Sequence, residues 1–150
     1  MDKEIRSFTI SNQGIVKVIK TGVEISQAFD PQKSLVNPLV KKFTAIWDTG
    51  ATNTVISQRV IEECALETIG EALVHTAVAT REEEVFSVNI ILPNSLGIAN
   101  MQVAAGIISG ADVLIGMDVI TQGDFALTNT DGRTVFSFRM PSVECIDFVT

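Results

Sequence analysis

The stretch Phe43-Thr44-Ala45-Ile46-Trp47-Asp48-Thr49-Gly50-Ala51-Thr52 constrains this chain more than any other. Its apolar half has strand character and carries one carboxylate, Asp48, to the strand's end. Gly50, two residues on, lets the backbone turn back through conformations that other residues resist. A chain presents an acid at the floor of a cleft in this way. A plain strand closed by an Asx-type turn uses the same residue types, because Asp, Thr and Gly are ordinary turn choices. At average composition an Asp-Thr-Gly tripeptide arises by chance in a chain this short on the order of a few per cent of the time. The tripeptide therefore needs support from elsewhere.

The support is Asp112-Val113-Leu114-Ile115-Gly116-Met117-Asp118-Val119-Ile120, which reads as a short buried strand, a glycine that admits a close backbone neighbour, and a helix start. With Ile46-Trp47-Asp48-Thr49-Gly50-Ala51, Leu114-Ile115-Gly116-Met117-Asp118 and the following Gly123-Asp124-Phe125-Ala126-Leu127-Thr128-Asn129, the chain resembles the retropepsin-like aspartic proteases. These are single-lobed relatives of the retroviral proteases, and the likeness is closest to bacterial members. It runs roughly from Lys42 to Pro141. Asp48 and Gly116 are 116 minus 48, or 68, residues apart, room for the sheet and flap that the family places between them.

The resemblance implies a homodimeric endopeptidase with one Asp-Thr-Gly lobe per chain. A single carboxylate cannot both take a proton from water and donate one to a peptide carbonyl, whereas two adjacent acids share a proton. One Asp-Thr-Gly per chain then calls for a two-fold axis between two copies of Asp48. By resemblance, Asp48 is the acid or base, and Thr49 hydrogen-bonds across the axis. Gly50 lets the substrate backbone approach, Ala51 keeps the cleft wall low and apolar beside Thr52, and Gly116 supports the Asp48 turn from behind. The flap hairpin would contribute Thr76, Ala77 and Val78. Thr52 stands where the retroviral enzymes carry an acid, and Met117 where they carry the arginine that pairs with it. Both charges are missing together, which implies a different dimer support. The rival reading is a catalytically silent dimeric module that binds a peptide or protein on the same fold.

Composition narrows the partners. With 150 residues and 46% hydrophobic content, one domain over 1–150 is expected. Within it, 1–42 reads as an N-terminal strand hairpin and loop, and 141–150 as a C-terminal tail. A net charge of −7 disfavours nucleic acid, and Lys41-Lys42 is the only adjacent basic pair. No run of about 18 apolar residues is present and the first residues lack signal-peptide order, so no membrane contact and a cytoplasmic location are expected. Cys64 and Cys145 fit no metal spacing, and neither forms a local nucleophile signature with the single His75. No metal or other cofactor is expected. Asp112, Asp118 and Asp124 fit no oxygen-ligand loop and read as helix-cap and surface acids.

In chain order, Ile5–Ile10 and Ile15–Ile25 read as a hairpin about Asn12-Gln13-Gly14. Ser26 to Lys42 reads as a surface loop containing Pro31 and Pro38, with a short extended piece around 34–36. Asn53–Ile56 reads as a strand, and Ser57 caps a short helix through Ala65. Ala72 to Leu92 reads as a hairpin turning at Thr80-Arg81-Glu82-Glu83-Glu84. Ile98 to Ile108 is a further strand, and a second short helix runs from Met117 to a stop at Gly123. Thr130-Asp131-Gly132 turns a last hairpin, and 143–149 has strand-like content that the resemblance assigns to subunit pairing. Repeated short strands with turn signals predict an all-β, closed or nearly closed barrel-like fold with two short helices.

Overall fold

A computed structural model describes residues 4–29, 38–75 and 80–149, with the side chains of 71–75 and 80–82 left aside. The strands are β1 (Arg6–Ser11), β2 (Ile19–Gln27), β3 (Lys41–Trp47), β4 (Val55–Ile56), β5 (Gly70–His75), β6 (Thr80–Leu92), β7 (Leu96–Ala105), β8 (Val113–Ile115), β9 (Asp124–Thr128) and β10 (Val135–Met140). Two short helices, α1 (Gln58–Glu63) and α2 (Met117–Ile120), interrupt them.

Six strands close on themselves in the order β2-β3-β8-β4-β7-β6, because the far half of β6 pairs back onto β2, from Glu24 opposite Ile91 to Gln27 opposite Val88. The near half of β6 carries β5 as a hairpin standing off the barrel. Closure leaves no open edge along the barrel wall. Alternation fixes which residues fill it: Thr21, Val23 and Ile25 of β2 point inward, as do Phe43, Ala45 and Trp47 of β3 and Val113 and Ile115 of β8. The residues between them face outward.

A separate three-stranded sheet, β1-β10-β9, packs on the barrel beside Trp47. Its inner face supplies Phe8, Phe125, Phe136 and Phe138. The Trp47 ring centroid lies 4.9 Å from that of Phe136 and 5.1 Å from that of Phe138. Such tilted aromatic contacts add to the large apolar area these rings bury. The indole N–H, which would be costly to bury alone, donates to Thr21 Oγ1 at 2.9 Å. The residue immediately before Asp48 is thus among the most firmly held in the molecule.

Several expectations need correction. The first two strands exist but do not pair with each other. β1 joins β10, with Phe8 opposite Phe138, and β2 joins β3 and β6. The 12–18 segment is a crossing between sheets, tied by Asn12 N–H and its side-chain amide to Thr134 O and by Val16 N–H to Thr134 Oγ1. Turn chemistry at Asn12-Gln13-Gly14 is a local signal, and the aromatic face of β1 overrides it by finding the larger apolar partner. The charged Thr80–Glu84 run is not a turn: it forms the start of β6, pairing from Thr80 opposite His75 to Glu84 opposite Glu71. Thr76, Ala77 and Val78 lie outside the described residues, as does the extended piece expected around 34–36. The tail 141–149 carries no strand among the described residues. No helix of the described residues is long and apolar enough to cross a membrane.

Candidate active site

Asp48 follows directly on β3, and its N–H donates to Ile115 O at 2.9 Å, extending the parallel pairing of β3 with β8 by one residue. The chain then doubles back. Gly50 N–H donates to Asp48 Oδ1 at 2.8 Å and Ala51 N–H to Asp48 O at 3.2 Å. A side chain at position 50 would begin 3.1 Å from Asp48 Oδ1, tight enough to push the carboxylate aside. Asp48 is half-buried, while Thr49, Gly50 and Thr52 are exposed and Ala51 is intermediate.

The loop after Asp48 rests on the start of α2. Met117 N–H donates to Ala51 O at 2.8 Å and Asp118 N–H to Thr52 O at 3.2 Å. These two main-chain bonds tie residues 51–52 to residues 117–118, with no charged side chain at Thr52 or Met117. Gly116 is the point of closest approach: a Cβ there would meet the Asn53 carbonyl at 2.8 Å and Ala51 O at 2.9 Å. Beneath the loop, Thr54 is fully buried. Its hydroxyl donates to Asp118 Oδ1 at 2.7 Å and accepts Gly116 N–H at 3.2 Å, while its own N–H donates to Asp118 Oδ2 at 2.9 Å.

Sequence reading missed Thr54; it placed Asp118 correctly at the start of a helix but not its bonds to Thr54, and it left Asp112 and Asp124 as cap or surface acids without their partners. Asp118 is a clamp on the Asp48 loop. Asp112 accepts from Ser57 Oγ at 3.0 Å and from Arg59 at 3.2 Å, so Ser57 starts α1 with its hydroxyl turned to another loop instead of capping the helix. Asp124 is tied by Arg139 Nε at 2.7 Å, by Val143 N–H at 2.8 Å and by the Ser142 hydroxyl. An acid in the first turn of a helix, immediately after a glycine that another segment crowds, is the one signal that could have singled out Asp118.

These bonds set Asp48 apart from the three other half-buried aspartates; the exposed Asp147 has the same one-oxygen turn, from Val149 N–H. In Asp112, Asp118 and Asp124 both carboxylate oxygens accept hydrogen bonds. Among the described residues Asp48 receives only the Gly50 N–H, on Oδ1, which leaves Oδ2 unclaimed. The ground beside it is apolar. Strand register lines up Ile46, Leu114, Val55, Ala104 and Val85 across β3, β8, β4, β7 and β6 on the outward face, and all five are half-buried. Asp48, two positions beyond Ile46, continues that face.

Cys64 offers no competing nucleophile. The Cys64 thiol is buried and donates to Ile25 O at 3.3 Å. Burial, with the nearby Glu63 charge adding to it, pushes its pKa up to about 11, so it stays a thiol at neutral pH. Cys145 is exposed in the tail.

No curated protein sequence matches the chain. Among solved structures, a retropepsin-like aspartic protease from Rickettsia conorii superposes with a TM-score of 0.56 at 9% identity, covering 93% of this chain and 97% of that one. The simian foamy virus (mac) protease aligns over 68% of this chain and 91% of its own, at 19% identity and a TM-score of 0.46. The family described as gag-polyprotein putative aspartyl protease matches residues 39–122, more than half of the chain and inclusive of Asp48, Thr54, Gly116 and Asp118. The chain belongs to this family of retropepsin-like aspartic proteases.

Proposed function

We propose that two copies of this chain pair to form one aspartic endopeptidase site, which hydrolyses bonds in an extended peptide or an unfolded protein segment. The observation that carries this reading is the Asp48 carboxylate, half-exposed at the edge of an apolar surface with one oxygen fixed by its own turn and the other open. An acid held in this way is oriented yet still able to take a proton. Brought beside its copy, it would share one proton with it, since like charges in contact cannot both ionise. One carboxylate then draws a proton from the attacking water while the other donates to the substrate carbonyl. Thr49 is exposed and so available to hydrogen-bond across the axis. Gly50 and Ala51 form a low wall, Thr52 lies at its rim, and Thr76, Ala77 and Val78 are assigned to the flap that covers bound peptide. The whole of 1–150 acts as one domain in this reading.

A mixed peptide library offered to the wild-type protein and to Asp48→Asn, from acidic to neutral pH, tests it. Wild type should cleave, with an optimum on the acid side, and the near-isosteric variant should not. Peptides retained by both proteins but cut by neither would make the chain a binding module, and equal cleavage by both would overturn the role of Asp48.

A further inference from the structure

The outward row beside Asp48 ends in a cation. On β2, the next strand out from β3, Lys20 stands opposite Ile46 and faces outward between the buried Thr21 and the half-buried Ile19. Its side chain does not simply extend into solvent. A methyl group built on Gly110 would lie 3.8 Å from the Lys20 ammonium, so the side chain spans from β2 to the loop that enters β8. That loop adjoins the apolar row at Leu114, and its Ile107 is fully exposed. The aliphatic stem of a lysine readily lies along apolar surface in this way while its charged end stays wet.

Arg59, which reaches the same loop at Asp112, is already matched by Glu63 at 3.0 Å and Asp112 at 3.2 Å. Among the described residues no carboxylate pairs with Lys20. In a chain of net charge −7, a cation at the end of an apolar row without a partner of its own is a place where a carboxylate from another molecule is favoured.

We propose that Lys20 is a specificity-determining residue: it makes the Asp48 face prefer peptides with apolar side chains at the cleaved bond and a carboxylate side chain within a few residues of it. The inference rests on the peptide-binding reading of the Asp48 face. Neighbouring strands are about 5 Å apart and alternate residues of an extended peptide about 7 Å apart. A side chain near the bond at Asp48 can therefore meet Ile46 and Leu114 while a neighbour further along the peptide reaches the ammonium.

The test uses matched peptides with one apolar cleavage site, carrying Glu, Gln or Lys at each flanking position in turn. Wild type, Lys20→Met and Lys20→Glu are compared by kcat/KM at low salt. Wild type should favour the best Glu peptide over its Lys counterpart about fivefold, the size of a well-placed surface pair. Lys20→Met should lose the preference and Lys20→Glu reverse it, and added salt should flatten all three profiles. Equal thermal stability of the variants would show that the change is not one of folding. Cleavage of every peptide with a Glu-to-Lys ratio that neither variant alters would overturn the role of Lys20 and leave the endopeptidase reading intact. A wild-type protein that cuts none of the peptides would remove both.

Discussion

Thr54 and Asp118, 64 residues apart in the chain, are joined by two hydrogen bonds, one from the Thr54 hydroxyl and one from its backbone N–H, to the two oxygens of the same carboxylate. The pair links the loop that follows Asp48 to the first turn of α2. Because the Thr54 hydroxyl also accepts Gly116 N–H, the start of α2 is held twice by one buried oxygen. Asp118 in addition accepts Val119 N–H at 2.9 Å, so the carboxylate serves its own helix as well.

Thr54→Val keeps the shape and removes the hydroxyl. It leaves the Gly116 N–H without its partner in a buried place, while Asp118 Oδ1 keeps only the Val119 N–H, at a cost of about 1–3 kcal/mol. Urea unfolding should show this as a lower midpoint with an unchanged slope. Thr54→Ser, which restores the hydroxyl, should recover most of the loss. A Thr54→Val protein as stable as wild type would mean that water or a shifted loop replaces the bond.

Gly116→Ala tests space instead of polarity. The backbone at Gly116 has φ −101°, which any residue adopts, so the substitution carries no intrinsic strain. The added methyl would nevertheless stand 2.8 Å from the Asn53 carbonyl and 2.9 Å from Ala51 O, both backbone atoms of the loop behind Asp48. Overpacking of this kind costs about 1–3 kcal/mol. The loop must move to relieve it, so peptide cleavage should fall further than the loss of stability alone accounts for. Comparing activity with the folded fraction from thermal melts separates the two. The reverse outcome, a destabilised protein with normal activity per folded molecule, would show that the loop is not what positions Asp48.

How much of this was legible beforehand follows from the range over which each cause acts. The strand that delivers Asp48, the glycine turn after it and the Leu114-Ile115-Gly116 strand are local patterns, and each lies where the sequence implies. Ser57 does begin a helix, yet its hydroxyl serves Asp112, because a partner 55 residues away outcompetes the helix's own N–H groups. The pairing of β1 with β10 and the closure of β2 onto β6 are decided by which apolar faces meet, and no window of sequence contains both partners. Thr54 is the clearest case. As a threonine before a short β-branched run it reads only as strand, and the return of the chain at Asp118 makes it a buried hub.

The two cysteines should differ sharply in reactivity. Cys145 is exposed and should react with iodoacetamide, whereas Cys64 is buried, hydrogen-bonded to Ile25 O and held protonated. Mass spectrometry should find one label on the native protein and two after denaturation. The pH dependence has a definite sign. The Cys64 pKa is raised from its ordinary value of 9.0 to about 11 in the folded state, so its stabilising contribution is complete below pH 9 and is lost as pH rises towards 11. Rapid double labelling of the native protein at neutral pH would mean that α1 and its C-terminal turn open readily.

The Asp124 cluster gives the tail a fixed departure from the sheet, and this too can be tested. The Ser142 hydroxyl, then Val143 N–H and the Arg139 guanidinium hold the Asp124 carboxyl well below the usual carboxylate range, against a smaller opposing effect of burial. A depressed folded-state pKa means that the contribution is present above the ordinary carboxylate value and fades only as pH falls towards the folded one. The latch should therefore hold through the mildly acidic range in which an aspartic protease would work. Asp124→Asn removes the charge and weakens its acceptor role, so amide exchange at Val143 should quicken by about tenfold while exchange in β3 and β8 stays unchanged. We further propose that residues beyond Pro141 help to pair two subunits, since Ile146 and the almost fully exposed Phe148 and Val149 present apolar surface there. Asp124→Asn should then shift sedimentation towards monomer at low concentration, and deletion of 142–150 should do so more strongly. Deletion that leaves the dimer unchanged would confine the Asp124 latch to its own subunit and assign pairing to other surfaces.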